Sequence, residues 1–320
     1  RVVEERTIVN KNVGETKFST SGFVLPSDAP DVSEVETETR TKEPAGANSR
    51  TPVVFLVHGF PDTPYGWNAV AQGFLNSGFI VVRPWLRGYT AESVSISEAY
   101  DPYTAGLDLL AWREQFAGRT VHLVGHDWGA VAAMAAVATD AAAFKSLALL
   151  AIPPFQKVER AWALLPKQMK LSSYMLEMQS TNSPAKVMAN QCGRLRALWT
   201  SWSPGWQFTD ADFAPVLQAF SIPGVAWAAT RYYRSLFTLH RATTRAIYVT
   251  SRKPLSVPTL GMAGLNDGCM QAGLFDAMVE PACFPKGIRT VLLDDCGHFL
   301  QAERPDAVLR ELLDHIAQLN

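Results

Sequence analysis

A short strand, a sharp turn flanked by glycines and an alanine-rich helix follow one another near the middle of the chain. The strand is predicted at residues 121–125, which are mostly apolar or β-branched, and the helix at residues 128–139. The turn between them, Gly125-His126-Asp127-Trp128-Gly129, has glycines where a crowded and strained backbone needs them. Asp127 occupies its tip, where the G-x-S-x-G pattern of the nucleophile elbow has serine. The sequence therefore predicts an α/β protein in which the nucleophile, at the turn between a strand and a helix, is a carboxylate.

A carboxylate at this position supports a different reaction from a serine. Asp127 can attack a saturated carbon and form an ester, which water must then cleave. The sequence thus favours nucleophilic displacement at an sp³ carbon and disfavours ordinary ester hydrolysis, which would need the serine.

Six apolar runs are predicted to form a largely parallel sheet, and helical patterns separate most of them. This alternation is typical of a doubly wound α/β fold. The predicted strands are residues 53–57, 79–83, 121–125, 146–152, 258–263 and 289–293. The predicted helices include residues 67–76, 102–115, 128–139 and 305–319, the last with an apolar stripe.

The alternation stops between residues 154 and 245, where the patterns are helical and five of the nine tryptophans lie. We predict that this segment is a helical cap inserted into a discontinuous core of residues 1–153 and 246–320. Residues 7–12 and 17–25 could form an antiparallel edge hairpin. Residues 26–50 are polar and are predicted to be mostly a surface loop, although residues 34–41 alternate enough for an edge strand.

Composition narrows the class of partners. The chain has 320 residues, of which 48% are hydrophobic, and a formal net charge of −1, so neither nucleic acid nor an anionic membrane is an expected partner. No apolar stretch is long enough to span a bilayer and no signal peptide is visible, so a cytoplasmic location is expected. The spacing of the four cysteines does not match a metal site, so free thiols are expected, although a disulfide between two of them stays possible. Whether the protein forms a homodimer also stays open.

Two further residues are placed to complete a catalytic set with Asp127. His298 follows the last predicted strand, and Asp267 follows the strand before it. The chain order of nucleophile, acid and histidine is that of hydrolases with a nucleophile elbow. His298 would take a proton from water, and Asp267 would fix its tautomer. Asp267 could instead be a helix cap, with Asp294 or Asp295 as the partner of the histidine.

An oxyanion hole is predicted from two backbone amides. The turn His58-Gly59-Phe60-Pro61 follows the strand at residues 53–57 and would supply the amide of Phe60. The residue after the nucleophile, Trp128, would supply the second amide. Both would stabilise the charge that develops when water attacks the ester of Asp127.

Several separate motifs between residue 52 and the C-terminus resemble those of epoxide hydrolases of the α/β-hydrolase superfamily. They are His58-Gly59-Phe60-Pro61, Arg87-Gly88-Tyr89, Gly125-His126-Asp127-Trp128-Gly129-Ala130, Asp267-Gly268-Cys269, and Ser221-Ile222-Pro223-Gly224 followed by Tyr232-Tyr233-Arg234. The resemblance implies a cofactor-independent enzyme, without a metal, that opens a small apolar epoxide to a vicinal diol. It also implies lipid epoxides and detoxification as the setting. The segment before Thr51 departs from the family pattern.

The same resemblance assigns roles in the predicted cap. Tyr233, together with Tyr174 by a weaker match, would polarise the epoxide oxygen with its hydroxyl. A phenol donor suits this reaction, because ring opening creates an alkoxide. The residues implied to contact substrate are His58, Phe60, Pro61, Trp128 and Tyr232.

Two other functions stay open. A haloalkane dehalogenase resembles this chain in fold and would use the same aspartate, with the indole N–H of Trp128 binding the halide. Phe60 and the Tyr232-Tyr233-Arg234 motif favour the epoxide. A non-catalytic binding protein is disfavoured, since it has no use for a nucleophile, an acid and a base in this order.

Overall fold

The computed structural model of the protein describes residues 4–8, 39–95 and 99–319, and their strands form one twisted sheet. Eight strands contribute to it. They are β1 (Glu4–Ile8), β2 (Thr39–Glu43), β3 (Val53–Val57), β4 (Ile80–Arg83), β5 (Val121–His126), β6 (Ser146–Leu150), β7 (Thr259–Gly264) and β8 (Ile288–Leu293). All six strands predicted from apolar runs are confirmed, with bounds that differ by one or two residues at their ends.

The strand order is β1-β2-β4-β3-β5-β6-β7-β8. The six strands from β4 to β8 pair in parallel, whereas β2 runs antiparallel to both β1 and β4. The carboxyl ends of β3, β5, β7 and β8 therefore lie along one edge of the sheet, where such folds place their sites. This confirms the predicted α/β-hydrolase fold with a mostly parallel, doubly wound sheet.

Twelve α-helices lie in the described part of the chain. They are α1 (Asn68–Asn76), α2 (Pro102–Arg113), α3 (Trp128–Thr139), α4 (Leu165–Leu171), α5 (Tyr174–Met178), α6 (Ser183–Trp202), α7 (Asp210–Ser221), α8 (Val225–Ser235), α9 (Ala242–Thr250), α10 (Gly273–Met278), α11 (Leu300–Glu303) and α12 (Pro305–Ala317). Short 3₁₀ turns occur at Pro64–Trp67, Ala91–Ser93, Glu114–Phe116, Ala141–Ala143, Val158–Ala161 and Pro281–Cys283.

Helices cover both faces of the sheet, and β3 illustrates why. Val54 and Leu56 pack into a cluster shared with α1 and α12, whereas Phe55 packs into the cluster of the opposite face with α2 and α3. Successive side chains of a strand point to opposite faces, so a strand covered on both sides must be apolar throughout. All five residues of β3 are buried accordingly.

The connection from β6 to β7, residues 151–258, contains α4 to α9 and no strand; we call it the β6–β7 segment. Hydrogen bonds join it to the turns that follow β3 and β7 at the carboxyl edge of the sheet. The Trp199 indole N–H donates to the Pro61 carbonyl oxygen at 2.8 Å, and the Trp202 carbonyl accepts from the backbone N–H of Gly268 at 2.9 Å. The predicted domain boundary at residue 245 falls inside α9, which contacts α2 and α3. The division into a core and a cap stays a prediction.

The prediction of a surface loop at residues 26–50 is wrong for residues 39–43, and the alternative of an edge strand at residues 34–41 overlaps the observed strand β2 only at residues 39–41. Residues 39–43 form a strand between β1 and β4, although all five side chains are polar. A strand held by backbone pairing on both sides does not need an apolar side-chain pattern, which is why composition misassigned it. Only residues 7 and 8 of the predicted hairpin fall within β1; residues 9–12 and 17–25 lie outside the described residues, as do residues 26–38 of the loop.

Among the helices described, no single one is both long and apolar enough to cross a membrane; only the pair α7 and α8, bent by 89°, passes that test together. The four cysteines, Cys192, Cys269, Cys283 and Cys296, are buried and free, so the expectation of free thiols is confirmed.

Candidate active site

Asp127 occupies a strained turn between β5 and α3. Its backbone angles are φ 50° and ψ −123°, which a residue with a side chain rarely adopts. The flanking glycines permit the turn. A Cβ on Gly125 would lie 2.4 Å from the carbonyl oxygen of Gly129, and one on Gly129 would lie 2.4 Å from that of Val57. The strained geometry presents the Asp127 carboxylate at the carboxyl end of β5.

The Asp127 carboxylate is buried and is held by a backbone amide at one of its oxygens. Its Oδ1 accepts a hydrogen bond from the backbone N–H of Phe60 at 2.7 Å. Gly59 allows this approach, since a Cβ there would lie 2.4 Å from the Cβ of Asp127. The amide of Trp128 opens α3, where the first N–H groups have no acceptor within the helix. The structure thus brings both predicted oxyanion-hole residues beside Asp127.

His298 lies between two carboxylates. Its Nδ1 is 2.9 Å from Oδ2 of Asp267, and its Nε2 is 3.6 Å from Oδ2 of Asp127. The first contact is a hydrogen bond, whereas the second is an ion pair too long for one. Asp267 is held in turn, because its Oδ1 accepts from the backbone N–H groups of Cys269 at 2.6 Å and Met270 at 2.9 Å.

The two alternative acids lie elsewhere. Asp294 and Asp295 are exposed on the turn after β8, and Asp295 lies 3.8 Å from the Arg304 guanidinium. Of the three candidate carboxylates, the structure places that of Asp267 against His298.

Charge within this group sets the protonation of its members. Burial alone would lower the pKa of His298, but the carboxylates of Asp267 and Asp127 outweigh it and raise the pKa to about 10. Burial alone would raise the pKa of Asp127, but the hydrogen bond and charge of His298 outweigh this effect and hold the pKa below its usual value. At neutral pH the resting group is therefore an imidazolium facing an ionised Asp127.

Two tyrosines of the β6–β7 segment reach the same place. Tyr233 on α8 packs its ring 5.0 Å from that of Trp128 and 5.2 Å from that of Phe60. Its hydroxyl is buried and has no partner at hydrogen-bonding geometry among the described residues, although the Trp128 side chain lies close enough to lower its pKa slightly against the effect of burial. Tyr174 opens α5; its ring lies 5.6 Å from that of Tyr233, and its hydroxyl is 3.6 Å from Sγ of Cys269.

Burial raises the pKa of both tyrosines well above the usual range; the next contributor is the charge of Asp127 for Tyr233 and Cys269 for Tyr174. Both phenols therefore carry a proton that they can donate.

Tyr232 has a different environment from its neighbour. Its hydroxyl donates to the carbonyl oxygen of Arg87 at 3.1 Å, while its ring lies 5.7 Å from that of Trp128. The hydroxyl of Tyr232 is thus engaged by the backbone, and Tyr233 presents the unengaged one. Contact of the Tyr232 ring with a substrate stays a prediction.

His58 and Pro61 shape the turn that carries Phe60. The Nε2 of His58 accepts from the backbone N–H of Leu86 at 3.0 Å, so Nδ1 carries the proton and donates to the Gly59 carbonyl oxygen at 3.0 Å. Burial lowers the pKa of His58 to about 4, which keeps it neutral. Pro61 accepts the indole N–H of Trp199. Both residues support the turn through these bonds, and their contact with a substrate stays a prediction.

Sequence reasoning missed several polar groups around this site. Burial raises the pKa of Asp62 to about 7, and its carboxyl accepts from the Thr63 N–H at 2.7 Å and the Gln301 amide at 3.2 Å. His126 donates from Nε2 to the His298 carbonyl oxygen at 2.9 Å. Asp62 directly follows the His58–Pro61 turn and His126 directly precedes Asp127, so proximity to the motifs was the available signal.

The arrangement suits nucleophilic chemistry by side chains. It combines an ionised carboxylate, a histidine oriented by a second carboxylate, two backbone amides and two protonated phenols, and the carboxylate and the histidine are buried. No group of three or more His, Cys, Asp or Glu side chains that could hold a metal ion occurs in the described part of the chain.

Comparisons with known proteins identify the family and the fold. Residues 53–311 match the family model described as the alpha/beta hydrolase family. Epoxide hydrolase A of Mycobacterium tuberculosis is 28% identical over 301 residues, covering 84% of this chain and 91% of that protein. Human epoxide hydrolase 4 is 27% identical over 269 residues, covering 80% and 70%. The structure of Bacillus megaterium epoxide hydrolase with an inhibitor superposes with a TM-score of 0.73 at 21% identity, covering 88% of this chain and 97% of that one.

Proposed function

We propose that this chain, which belongs to the alpha/beta hydrolase family, opens epoxides to vicinal diols. The observation that carries the proposal is the Tyr233 hydroxyl, which is buried beside Trp128 and has no hydrogen-bond partner among the described residues. An unpartnered buried hydroxyl is costly unless a ligand uses it. An epoxide oxygen is such a ligand. The epoxide hydrolase names of relatives at 27–28% identity support the same reaction.

The first step is attack by Asp127. Its Oδ1 is held by the Phe60 amide, so Oδ2 is the oxygen that forms the bond to an epoxide carbon. The carbon–oxygen bond of the ring breaks, and the leaving oxygen stays attached to the substrate as an alkoxide. Tyr233 and Tyr174 stabilise this alkoxide by hydrogen bonds, and one of them supplies its proton and regains a proton from solvent before the next turnover.

The second step is hydrolysis of the ester at the carboxyl carbon of Asp127. The oxyanion that forms on Oδ1 is stabilised by the amides of Phe60 and Trp128. His298 takes the proton from the attacking water. The bond between the Asp127 carboxyl carbon and Oδ2 then breaks, and Oδ2 leaves on the product, taking the proton from the His298 imidazolium to become the second hydroxyl of the diol. One oxygen of the diol thus comes from the enzyme in the first turnover.

Ester formation prepares His298 to act as a base. In the resting enzyme two carboxylates hold its pKa at about 10, so it is protonated and a poor base. Alkylation turns Asp127 into a neutral ester and removes one of these charges, so the pKa of His298 falls toward neutrality. The histidine can then release its proton and accept one from water.

The β6–β7 segment acts as the cap in this proposal. It contributes Tyr174 and Tyr233, and only 4% of Asp127 remains exposed beneath it. Aromatic rings pack against one another beside the Asp127 turn: the Phe60 ring lies 6.0 Å from that of Phe220, and the Trp128 ring lies 5.0 Å from that of Tyr233. We therefore infer a substrate that is apolar apart from its epoxide, and lipid epoxides fit this description.

Haloalkane dehalogenation is the second candidate, and one observation favours it. The Trp128 indole N–H is buried without a hydrogen-bond partner in the described residues, so it could bind a leaving halide. A halide leaves as a stable anion and needs no proton from Tyr233.

Turnover of three substrates by the purified protein separates the candidates. We expect diol formation from a terminal aryl epoxide, and no comparable halide release from a primary haloalkane or hydrolysis of an aryl ester. The Asp127→Asn variant is the control and should be inactive on the epoxide. Halide release without diol formation would favour the dehalogenase, and aryl ester hydrolysis that persists in Asp127→Asn would refute both.

A further inference from the structure

The backbone around His298 is held by two side chains outside the catalytic set. Ser203, which follows α6, has an Oγ that accepts from the N–H of His298 at 2.9 Å and of Phe299 at 3.3 Å. Glu303, the last residue of α11, accepts from the N–H of Gly297 at 2.8 Å and of Phe299 at 3.0 Å. Three consecutive backbone N–H groups, at residues 297–299, therefore end on these two side chains.

The two side chains also bind each other. The Ser203 hydroxyl donates to Oε1 of Glu303 at 2.6 Å, which leaves its lone pairs for the backbone donors. A carboxylate that receives three donors forms charge-assisted hydrogen bonds, which are about twice as strong as neutral ones. The pair is thus a rigid acceptor for the His298 turn and not a loose surface contact.

The same stretch of chain reaches the turn that carries Asp267. The Trp202 carbonyl accepts from the N–H of Gly268 at 2.9 Å and from that of His298 at 3.2 Å. Gly268 and Gly297 are required here, because a Cβ would lie 2.0 Å from the Ser201 carbonyl oxygen and 2.5 Å from Cα of Ser203 respectively. The end of α6 therefore fixes the histidine turn and the acid turn relative to each other.

The position of His298 must be fixed more accurately than that of the other residues of the site. It must keep Nδ1 on Asp267 while Nε2 faces the ester carbon of Asp127, and an error of about 1 Å in such an arrangement can cost about 100-fold in rate. Asp127 does not depend on the pair, since its own turn and the Phe60 amide position it. Loss of the pair should therefore slow ester hydrolysis and spare ester formation.

We propose that Ser203 and Glu303 are positioning residues that hold His298 for hydrolysis of the Asp127 ester. The proposal rests on the proposed function, because it concerns the second step of that reaction. The simpler explanation is that Glu303 only caps the short helix α11. A cap would affect the free energy of unfolding without separating the two chemical steps.

The test measures formation and decay of the ester separately in Glu303→Gln and Ser203→Ala. Glu303→Gln keeps the shape of the side chain but replaces one carboxylate oxygen by an N–H₂ group, which cannot accept a hydrogen bond from a backbone N–H. With a terminal aryl epoxide, quenched mixing and mass spectrometry should show adduct formation at the parental rate. Decay should be slowed by about tenfold or more, so that adduct accumulates. Glu311→Gln is the matched control. It removes the ion pair between Glu311 of α12 and Arg289 of β8 without changing a contact of the His298 turn, and both of its rates should be parental.

Two results would overturn the proposal: unchanged decay in folded Glu303→Gln, or equal loss of formation and decay in both variants. Adduct formation by the parental protein itself reports on the proposed function separately. If neither the parent nor His298→Gln forms an adduct, the reaction is wrong. If His298→Gln accumulates adduct and Glu303→Gln and Ser203→Ala do not, only the positioning role is wrong.

Discussion

Replacing Tyr233 by phenylalanine removes one hydroxyl from the site and little else. That hydroxyl has no hydrogen-bond partner among the described residues, so Tyr233→Phe leaves no other group unsatisfied. The ring keeps its contacts with Phe60 and Trp128. We therefore expect the free energy of unfolding to stay the same or to rise by about 1–3 kcal/mol, the penalty of an unmet buried hydroxyl.

The rate of epoxide opening, in contrast, should fall strongly in Tyr233→Phe. A lost donor in a site of this kind costs roughly 2.7–4 kcal/mol of transition-state stabilisation, which corresponds to about 100-fold to 1,000-fold in rate. Single-turnover mixing with excess enzyme and a terminal aryl epoxide measures this step directly. Tyr174→Phe added to Tyr233→Phe should lower the rate further, because the second phenol is then also lost.

Tyr232→Phe is the matched control for this prediction. It removes the neighbouring hydroxyl, which donates to the Arg87 carbonyl, and should lower the free energy of unfolding by about 0.5–1.5 kcal/mol while epoxide opening stays near the parental rate. Parental opening in the Tyr233→Phe, Tyr174→Phe double variant would refute the role of the phenols and favour dehalogenation. A large loss in Tyr232→Phe alone would place the donor one residue earlier.

Two further predictions concern protonation. His298→Gln should fail to hydrolyse the Asp127 ester, so the adduct accumulates in mass spectra. It should form the ester more slowly than the parent, because the imidazolium that holds the pKa of Asp127 below its usual value is lost. A variant that never forms the adduct would place His298 in binding. The pKa of Asp62 is raised by burial to about 7, so the folded state binds its proton more tightly than the unfolded chain does and loses stability as pH rises from about 4 through 7. Asp62→Asn should therefore weaken the fall in unfolding free energy between pH 5 and pH 8 in urea titrations, and an identical pH slope in both proteins would contradict the shift.

The parallel strands could be predicted because burial on both faces leaves a direct record in the sequence. β3 is apolar at every position, and β5 leads into a turn whose glycines are required by close backbone contacts. β2 left no such record: its place depends on backbone pairing with β1 and β4 and not on its side chains. The N-terminal strands were accordingly the part of the sheet that the sequence predicted least well.

The candidate site likewise contains residues that the sequence predicts and residues that it does not. Asp127, Asp267 and His298 follow strand ends, so the fold rules bring them to one edge of the sheet. Ser203 and Glu303 could not be found this way, because their roles depend on contacts across about 100 residues that no local pattern encodes. The choice between Tyr232 and Tyr233 likewise depends on the rotation of α8, which directs one hydroxyl to the Arg87 carbonyl and leaves the other without a partner.

The origin of the diol oxygen tests the central claim most directly. One turnover with excess enzyme in ¹⁸O-labelled water should give a diol whose new oxygen is unlabelled, because it comes from the Asp127 carboxylate. The label should then appear in the peptide that contains Asp127, at one oxygen. A first-turnover diol that carries the label, together with an unlabelled Asp127 peptide, would mean that water attacks the epoxide directly and that no ester forms.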